Sequence, residues 1–183
     1  MKLMIASDIH GSAKWCARLL DAWRAEGQPR LVLLGDLLYH GPRNDLPEDY
    51  APRRVIEMLN AIAMHLLCVR GNCEAEVDQM VLDFPVMADY CALLTDNHLI
   101  YATHGHVYNP DNPPPLRESD ALLFGHTHVP LFRRDRGLTF INPGSVSIPK
   151  QNSPHSYVTL EGGVATWKEL EGGVFDVKAL WEQ

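Results

Sequence analysis

The sequence has no CxxC pair, no long apolar run and no excess of positive charge, and each absence narrows its chemistry. Its four cysteines, Cys16, Cys68, Cys73 and Cys91, lack the spacing of a zinc site, which excludes a thiolate-rich metal knuckle. No stretch reaches the about 18 consecutive apolar residues that cross a bilayer. The opening run, Met1 to Asp8, is too short for the apolar segment of an export signal. A cytoplasmic location with reduced thiols is therefore the expectation. Lys and Arg number 16 against 23 Asp and Glu, a formal net charge of −7. A general nucleic-acid binder needs a basic stripe to offset backbone phosphates, so nucleic acid is not an expected partner.

What remains is an ordinary globular composition. The 183 residues are 46% hydrophobic and 21% charged, which suits one folded domain over residues 1–183. Short apolar runs rich in branched residues, each followed by polar punctuation, predict strands at Leu3–Ala6, Leu31–Leu34, Leu66–Val69, Leu99–Ala102, Ala121–Phe124 and Leu138–Ile141. Trp15, Cys16, Leu19, Leu20 and Trp23 recur at helical spacing behind Ser12, a good N-cap. Val55, Ile56, Leu59, Ile62, Ala63 and Leu66 form a second helical stripe opened by Pro52. The alternation predicts βαβ units with parallel pairing in the first half. Towards the end, Tyr157–Leu160, Val164–Lys168 and Val174–Val177 are separated by Glu-Gly-Gly turns and predict antiparallel hairpins. The proline-rich stretch from Asn109 to Pro115 predicts a stiff surface loop.

Five groups of potential metal ligands fall at the ends of these strands: Asp8 and His10, Asp36, Asn72, His104 with His106, and His126 with His128. In an open sheet, ligands bind beyond the carboxyl ends of the strands, so neighbouring loops bring such groups together. An extended Asp-x-His or His-x-His would send both donors to one side. Adjacent glycines (Gly35, Gly71, Gly105 and Gly125) would let the backbone turn sharply and approach an ion closely. Mixed carboxylate, imidazole and amide donors suit borderline divalent ions. Mn is the first expectation, with Ni, Co, Fe or Zn as alternatives, and an all-oxygen Ca or Mg cage is disfavoured.

The order and content of these groups closely resemble the calcineurin-like metallophosphoesterase superfamily over residues 8 to 128. Its pattern runs Asp-x-His, Gly-Asp, Gly-Asn-His/Cys-Glu/Asp, a His before glycine, then Gly-His-x-His. The later Asn142-Pro143-Gly144-Ser145-Val146, together with Cys73 after Gly-Asn and the loop Gly35 to Asn44, is similar to the small bacterial YfcE-type phosphodiesterases. The resemblance implies an α/β (α+β) fold, a four-layer αββα sandwich with mixed sheets and a dinuclear site on one edge. Carried over by position, Asp8, His10, Asp36 and His128 would hold one ion. Asp36, Asn72, His104 and His126 would hold a second, with Asp36 bridging. It further implies a homo-oligomer, a dimer or a tetramer.

On this reading two divalent ions outweigh the two carboxylates and leave a cationic pocket in an acidic protein. A bridging hydroxide would attack phosphorus in line, with no covalent intermediate. The wider superfamily carries histidine where this chain has Cys73. A thiol with a pKa near ~8.5 is a poorer acid, and a small side chain making room for a bulky substrate is an equal reading. His106 is the other candidate for the leaving-group proton, while His40 and Arg43 are candidate substrate contacts and Asn72 a candidate catalytic residue as well as a ligand. The Asn-Pro-Gly-Ser-Val turn is expected to secure the rim of the site. The competing functions are a phosphomonoesterase and a non-catalytic scaffold with the same fold. The scaffold is disfavoured because relatives of that kind have lost ligand histidines that this chain keeps.

Overall fold

The computed structural model describes residues 2–95 and 97–181. Eleven strands are formed among them. The first eight are β1 (Lys2–Ala6), β2 (Arg30–Leu33), β3 (Leu66–Cys68), β4 (Cys91–Leu94), β5 (Leu99–Ala102), β6 (Ala121–Leu123), β7 (Leu131–Asp135) and β8 (Leu138–Asn142). The last three are β9 (Ser156–Glu161), β10 (Val164–Glu169) and β11 (Val174–Ala179). One mixed sheet has the order β11-β10-β9-β1-β2-β3, and the other the order β4-β5-β6-β8-β7.

The parallel strands β1, β2 and β3 sit together, as do β5, β6 and β8. Such strands are buried on both faces, which is why they read as unbroken apolar runs. Along β1, Met4 and Ala6 enter the core under the helices, whereas Leu3 and Ile5 enter the core between the two sheets. Leu31 and Leu33 of β2 likewise face the helices, and Val32 faces the second sheet. A one-residue slip would exchange the two sets, so the register Leu3↔Arg30 to Ala6↔Leu33 is fixed from both sides. The indole of Trp167, on β10, lies in the inter-sheet core and donates to the Asn142 carbonyl at 2.8 Å, tying the sheets together.

Helix α1 (Ala13–Ala25) covers the first sheet with Trp15, Cys16, Leu19 and Trp23, and Ser12 caps it by accepting the Trp15 amide at 3.3 Å. Helix α2 (Pro52–Asn60) lies beside it. The second apolar stripe is not one helix. Ala63 belongs to a short 3₁₀ turn (Ala63–His65), and Leu66 already starts β3, since a chain entering a parallel strand must leave the helix first. A short helix α3 (Glu76–Gln79) was not foreseen.

The expected pair of mixed sheets and the helical layer over the first of them are present. Over the outer face of the second sheet no helix lies among the described residues. There Leu116, at the end of the proline-rich loop, packs against Leu122, Phe124, Leu138 and Phe140. Strands β4 and β7 also escaped the sequence reading. Both are edges of the second sheet, and Leu131–Asp135 carries two arginines and an aspartate, the charge that edge strands use to discourage further pairing. Among the described residues no helix is long and apolar enough to cross a membrane.

Candidate metal centre

All the candidate ligands lie just beyond the carboxyl ends of parallel strands. Asp8 and His10 follow β1, Asp36 follows β2, Asn72 follows β3, His104 follows β5, and His126 and His128 follow β6. Five of the seven, Asp8, His10, Asp36, His126 and His128, have φ between 49° and 66°, the left-handed region that side chains disfavour. The donors therefore converge through left-handed turns and not through the extended backbone that their spacing suggested. Such conformations cost about 1–3 kcal/mol each and persist only where surrounding structure imposes them.

Here the imposing contacts are visible. Ser145 and Ser147 donate to the Asp8 carbonyl at 3.0 and 3.1 Å, and the Val146 amide donates to the Ser7 carbonyl at 2.9 Å. Asn142 donates to the Gly125 carbonyl at 2.8 Å. The Asn-Pro-Gly-Ser-Val turn thus holds the loops after β1 and β6, in keeping with its expected place at the rim. Glu74 is 4% exposed, and its carboxylate accepts the amides of Gly71, Asp36 and Leu37. Gly71 has no room for a side chain, because a Cβ there would collide with the Asp36 carboxylate.

The donor atoms face one another. Asp36 Oδ2 lies 3.7 Å from His10 Nε2 and 3.5 Å from His104 Nε2. On one side His128 Nε2 is 3.4 Å from Asp8 Oδ1 and 3.3 Å from His10 Nε2. On the other, His104 Nε2 is 3.1 Å from Asn72 Oδ1 and 3.2 Å from His126 Nδ1. The second nitrogens of His10, His104 and His128 point at the carbonyls of Tyr39, Leu34 and Ile148, at 2.8, 2.6 and 2.7 Å. Each of these Nδ1 atoms must donate, so in the neutral ring, the form that binds a cation, each Nε2 turns a lone pair toward its neighbours.

Lone pairs gathered nitrogen against nitrogen, in a site where Asp8, His10, Asp36, His104 and His128 are at most 3% exposed, fit a divalent cation. Asp8 Oδ1 is a buried oxygen with no hydrogen-bond partner among the described residues, as a ligand atom would be. Donor atoms of Asp8, His10 and His128, and those of Asp8, Asp36 and His104, lie within 4.8 Å of one another.

The electrostatics follow from the same contacts. Burial opposes ionisation of Asp8 and Asp36, yet the surrounding imidazoles outweigh it and hold both carboxyls below the usual range. Burial also opposes the charged form of His104, but Asp36 and Asp8 overcome it and push the imidazole up to about 9. Burial wins for His126 and His128, whose pKa values are lowered.

The remaining candidates separate. A cleft of about 440 Å³ opens over Asp36, Asn72, Cys73, His126 and His128, with Arg43 and Lys150 on its wall. Lys150 was not anticipated; it follows the Asn142–Val146 turn, and its amide donates to the His128 carbonyl at 3.1 Å. Cys73 also has its Sγ within 4.8 Å of donor atoms of His10 and Asp36, so it stands closer to the ligands than its sequence position suggested. Its thiol is pushed up, first by burial and then by Asp36.

His40 does not line the cleft. Its ring sits edge-on to Tyr39 and Tyr50, at 4.7 and 5.3 Å, and its carbonyl accepts from Asn44, so it packs within its own loop. His106 is exposed, with its ring centred 5.4 Å from His104 and 6.3 Å from His126, and it too stays off the cleft wall. Burial and His104 lower its pKa, which favours the neutral ring over a proton donor.

Two mixed sheets with a donor cluster at the carboxyl ends of their parallel strands define a metallophosphoesterase-type protein. Residues 1–163 match the calcineurin-like phosphoesterase superfamily domain, and the chain belongs to that superfamily. It is 49% identical over 164 residues to phosphodiesterase YfcE of Escherichia coli strain K12, covering 90% of this chain and 89% of the relative. The solved structure of that E. coli phosphoesterase superposes with a TM-score of 0.95 at 45% identity, covering 98% of this chain and all of the other. A probable metallophosphoesterase of Bacillus subtilis strain 168, YsnB, is 31% identical over 175 residues, 91% of this chain and 88% of the relative.

Proposed function

We propose that this phosphoesterase hydrolyses phosphodiesters with two divalent ions, Mn in the first instance. Asp8, His10, Asp36 and His128 would hold one ion, and Asp36, Asn72, His104 and His126 the other. The observation that carries this reading is the position of Asp36 Oδ2 between His10 Nε2 and His104 Nε2, at 3.7 and 3.5 Å. One carboxylate oxygen thereby faces both groups of donors, as a bridging ligand must. When bound, such a pair supplies Lewis-acid polarisation of the phosphoryl group and a water acidic enough to attack phosphorus near neutral pH.

The chain's own residues do the rest. Arg43 and Lys150 on the cleft wall bind and orient the anionic oxygens of the ester. Cys73 lies on the same wall, and burial and Asp36 both push its thiol up. Nothing as good an acid as an imidazolium faces the leaving oxygen from that position, so diesters with good leaving groups are the preferred substrates. The E. coli relative at 49% identity is itself named a phosphodiesterase, which supports the diester reading. The four free cysteines suit a reducing compartment such as the cytoplasm.

The test is to strip the protein with a chelator and assay an aryl phosphodiester and an alkyl phosphomonoester with Mn, Co, Ni or Ca restored singly. Turnover of the diester should vanish on stripping and return with Mn, Co or Ni far better than with Ca, at two bound ions per chain. Full activity of the stripped protein would overturn the metal mechanism. Full activity at one ion per chain would overturn the dinuclear assignment.

A further inference from the structure

His126 and Thr127 line both the metal cleft and a second cavity of about 340 Å³, and no other described residue lines both. They form the ridge between the two. The second cavity lies on the outer face of the second sheet, where Phe124 makes a buried floor and Pro110, Val129 and Leu131 are half-buried around it. Gly105 brings the loop after β5 close onto this floor: its φ is 116°, and a Cβ there would stand 3.3 Å from both Phe124 and His126. The loop is then held by its own contacts. Asn109 donates to the Gly105 carbonyl at 3.1 Å and accepts the amides of Asp111 and Asn112 at 3.0 and 3.1 Å, and Asn112 donates to the Val107 carbonyl at 2.9 Å. The proline-rich stretch is therefore a preformed wall, and a preformed wall costs a ligand little ordering.

We propose that this cavity is a substrate subsite that takes the arm of the phosphodiester kept by the product, and that this arm is apolar and uncharged. The inference rests on the diester reading above. Hydrolysis adds a hydroxyl from water to phosphorus and breaks the P–O bond to one arm, which departs as an alcohol carrying a proton. The other arm stays on the monoester. With the leaving arm on the Cys73 side of the cleft, the retained arm projects in another direction, and crossing the ridge at Thr127 leads it into the second cavity. Charge sets the class of arm. Arg133 is the one cation among the residues lining the cavity, and Asp135 already matches it at 2.6 Å. Asp111 adds a carboxylate on the loop wall, so an anionic arm meets no unmatched cation, whereas Phe124, Val129 and Leu131 offer apolar surface. A monoester has no second arm to place there, which gives diesters a further advantage.

The experiment compares para-nitrophenyl benzyl phosphate with para-nitrophenyl methyl phosphate on the Mn-loaded protein. Both release para-nitrophenol and both keep an alkyl arm, so the size of the retained arm is what differs. The benzyl ester should have the higher kcat/KM by roughly tenfold or more, chiefly through a lower KM. A para-carboxybenzyl arm should lose that advantage. Calorimetry of the products should agree, with benzyl phosphate binding more tightly than methyl phosphate by a similar factor. Leu131→Asp on β7 and Pro110→Asp on the loop each set a carboxylate into the cavity from a different element, and each should bring the ratio of benzyl to methyl ester close to one. Circular dichroism checks the fold of both, and Pro110→Asp decides alone if Leu131→Asp does not fold. Equal kcat/KM for the two esters in the wild type, a preference for the carboxybenzyl arm, or an unchanged benzyl preference in the folded variants would overturn the subsite and leave the diester reading standing. Hydrolysis of neither ester would overturn the diester reading itself, and the subsite with it.

Discussion

The Glu74 carboxylate fastens the Asp36 turn: Oε2 accepts the Asp36 amide at 2.9 Å and the Gly71 amide at 2.5 Å, and Oε1 accepts the Leu37 amide at 2.7 Å. Asp36 has a φ of 56°, so its backbone needs such a clamp to hold the carboxylate between two groups of histidines. Glu74 is thus a positioning residue that acts through Asp36.

Truncating Glu74 to alanine leaves three buried amides without an acceptor. The expected loss is about 3 kcal/mol of stability in denaturant unfolding, together with weaker metal retention. Glu74→Gln keeps one carbonyl acceptor and should fall between alanine and the wild type in both measurements. Equal stability and metal content in Glu74→Ala would show that other contacts hold the turn.

The shared position of Asp36 gives a sharper contrast. Asp36→Asn removes a negative charge held between His10 and His104, one from each donor group, whereas His10→Ala touches one group only. Bound metal per chain should fall more in Asp36→Asn, and turnover of an aryl diester should drop by more than about 100-fold. Two retained ions with near-normal turnover would remove the bridging role.

Much of this centre was legible because each ligand group sits where an apolar run gives way to polar residues at a strand end. Asp8, Asp36, His104 and His126 could be placed that way before any fold was known. The backbone was not legible, since Asp-x-His is compatible with either extended or left-handed conformations, and tertiary clamps from Glu74, Ser145 and Ser147 decide between them. Those clamps join residues 37 to 139 positions apart, beyond the reach of local patterning. The orientation of His40 was not legible for a similar reason. Its loop position suggested substrate, but Tyr39 and Tyr50 supply aromatic edges that turn its ring away from the cleft.

A pH dependence follows from Glu26, just past the end of α1. It accepts from Lys2 of β1 at 2.7 Å, Tyr157 of β9 at 2.9 Å and Lys168 of β10 at 2.6 Å. Burial alone would raise its pKa, but Lys168, Lys2 and Tyr157 outweigh burial and hold it at about 2, against an ordinary value of 4.5. A depressed carboxyl contributes stability that is fully present above 4.5 and is lost as pH falls through about 2. Glu26→Gln should therefore cost about 2 kcal/mol at neutral pH, with the gap to wild type closing between those two values. Urea unfolding at several pH values checks this, and a gap independent of pH would assign the effect to packing.

Cys73 occupies the cleft wall with its Sγ near His10 and Asp36 and its amide donating to Asp36 Oδ1 at 2.9 Å. Its thiol is a weak acid in this setting, pushed further up by burial and by the Asp36 carboxylate. A leaving group that departs easily needs little protonation, so the wild-type chain should hydrolyse aryl diesters far better than alkyl monoesters. Cys73→His places a stronger acid at this point and should raise turnover of poor leaving groups by about tenfold or more, with a smaller gain on aryl diesters. Cys73→Ser keeps the size and removes the thiol, and should leave aryl-diester turnover largely intact. Plotting rate against leaving-group pKa for the three proteins separates the roles: the slope should be shallowest for the histidine variant and alike for cysteine and serine. If Cys73→Ser abolished aryl-diester hydrolysis with its metal still bound, the thiol would be acting on substrate directly, and the reading of Cys73 as a small residue that leaves room would fail.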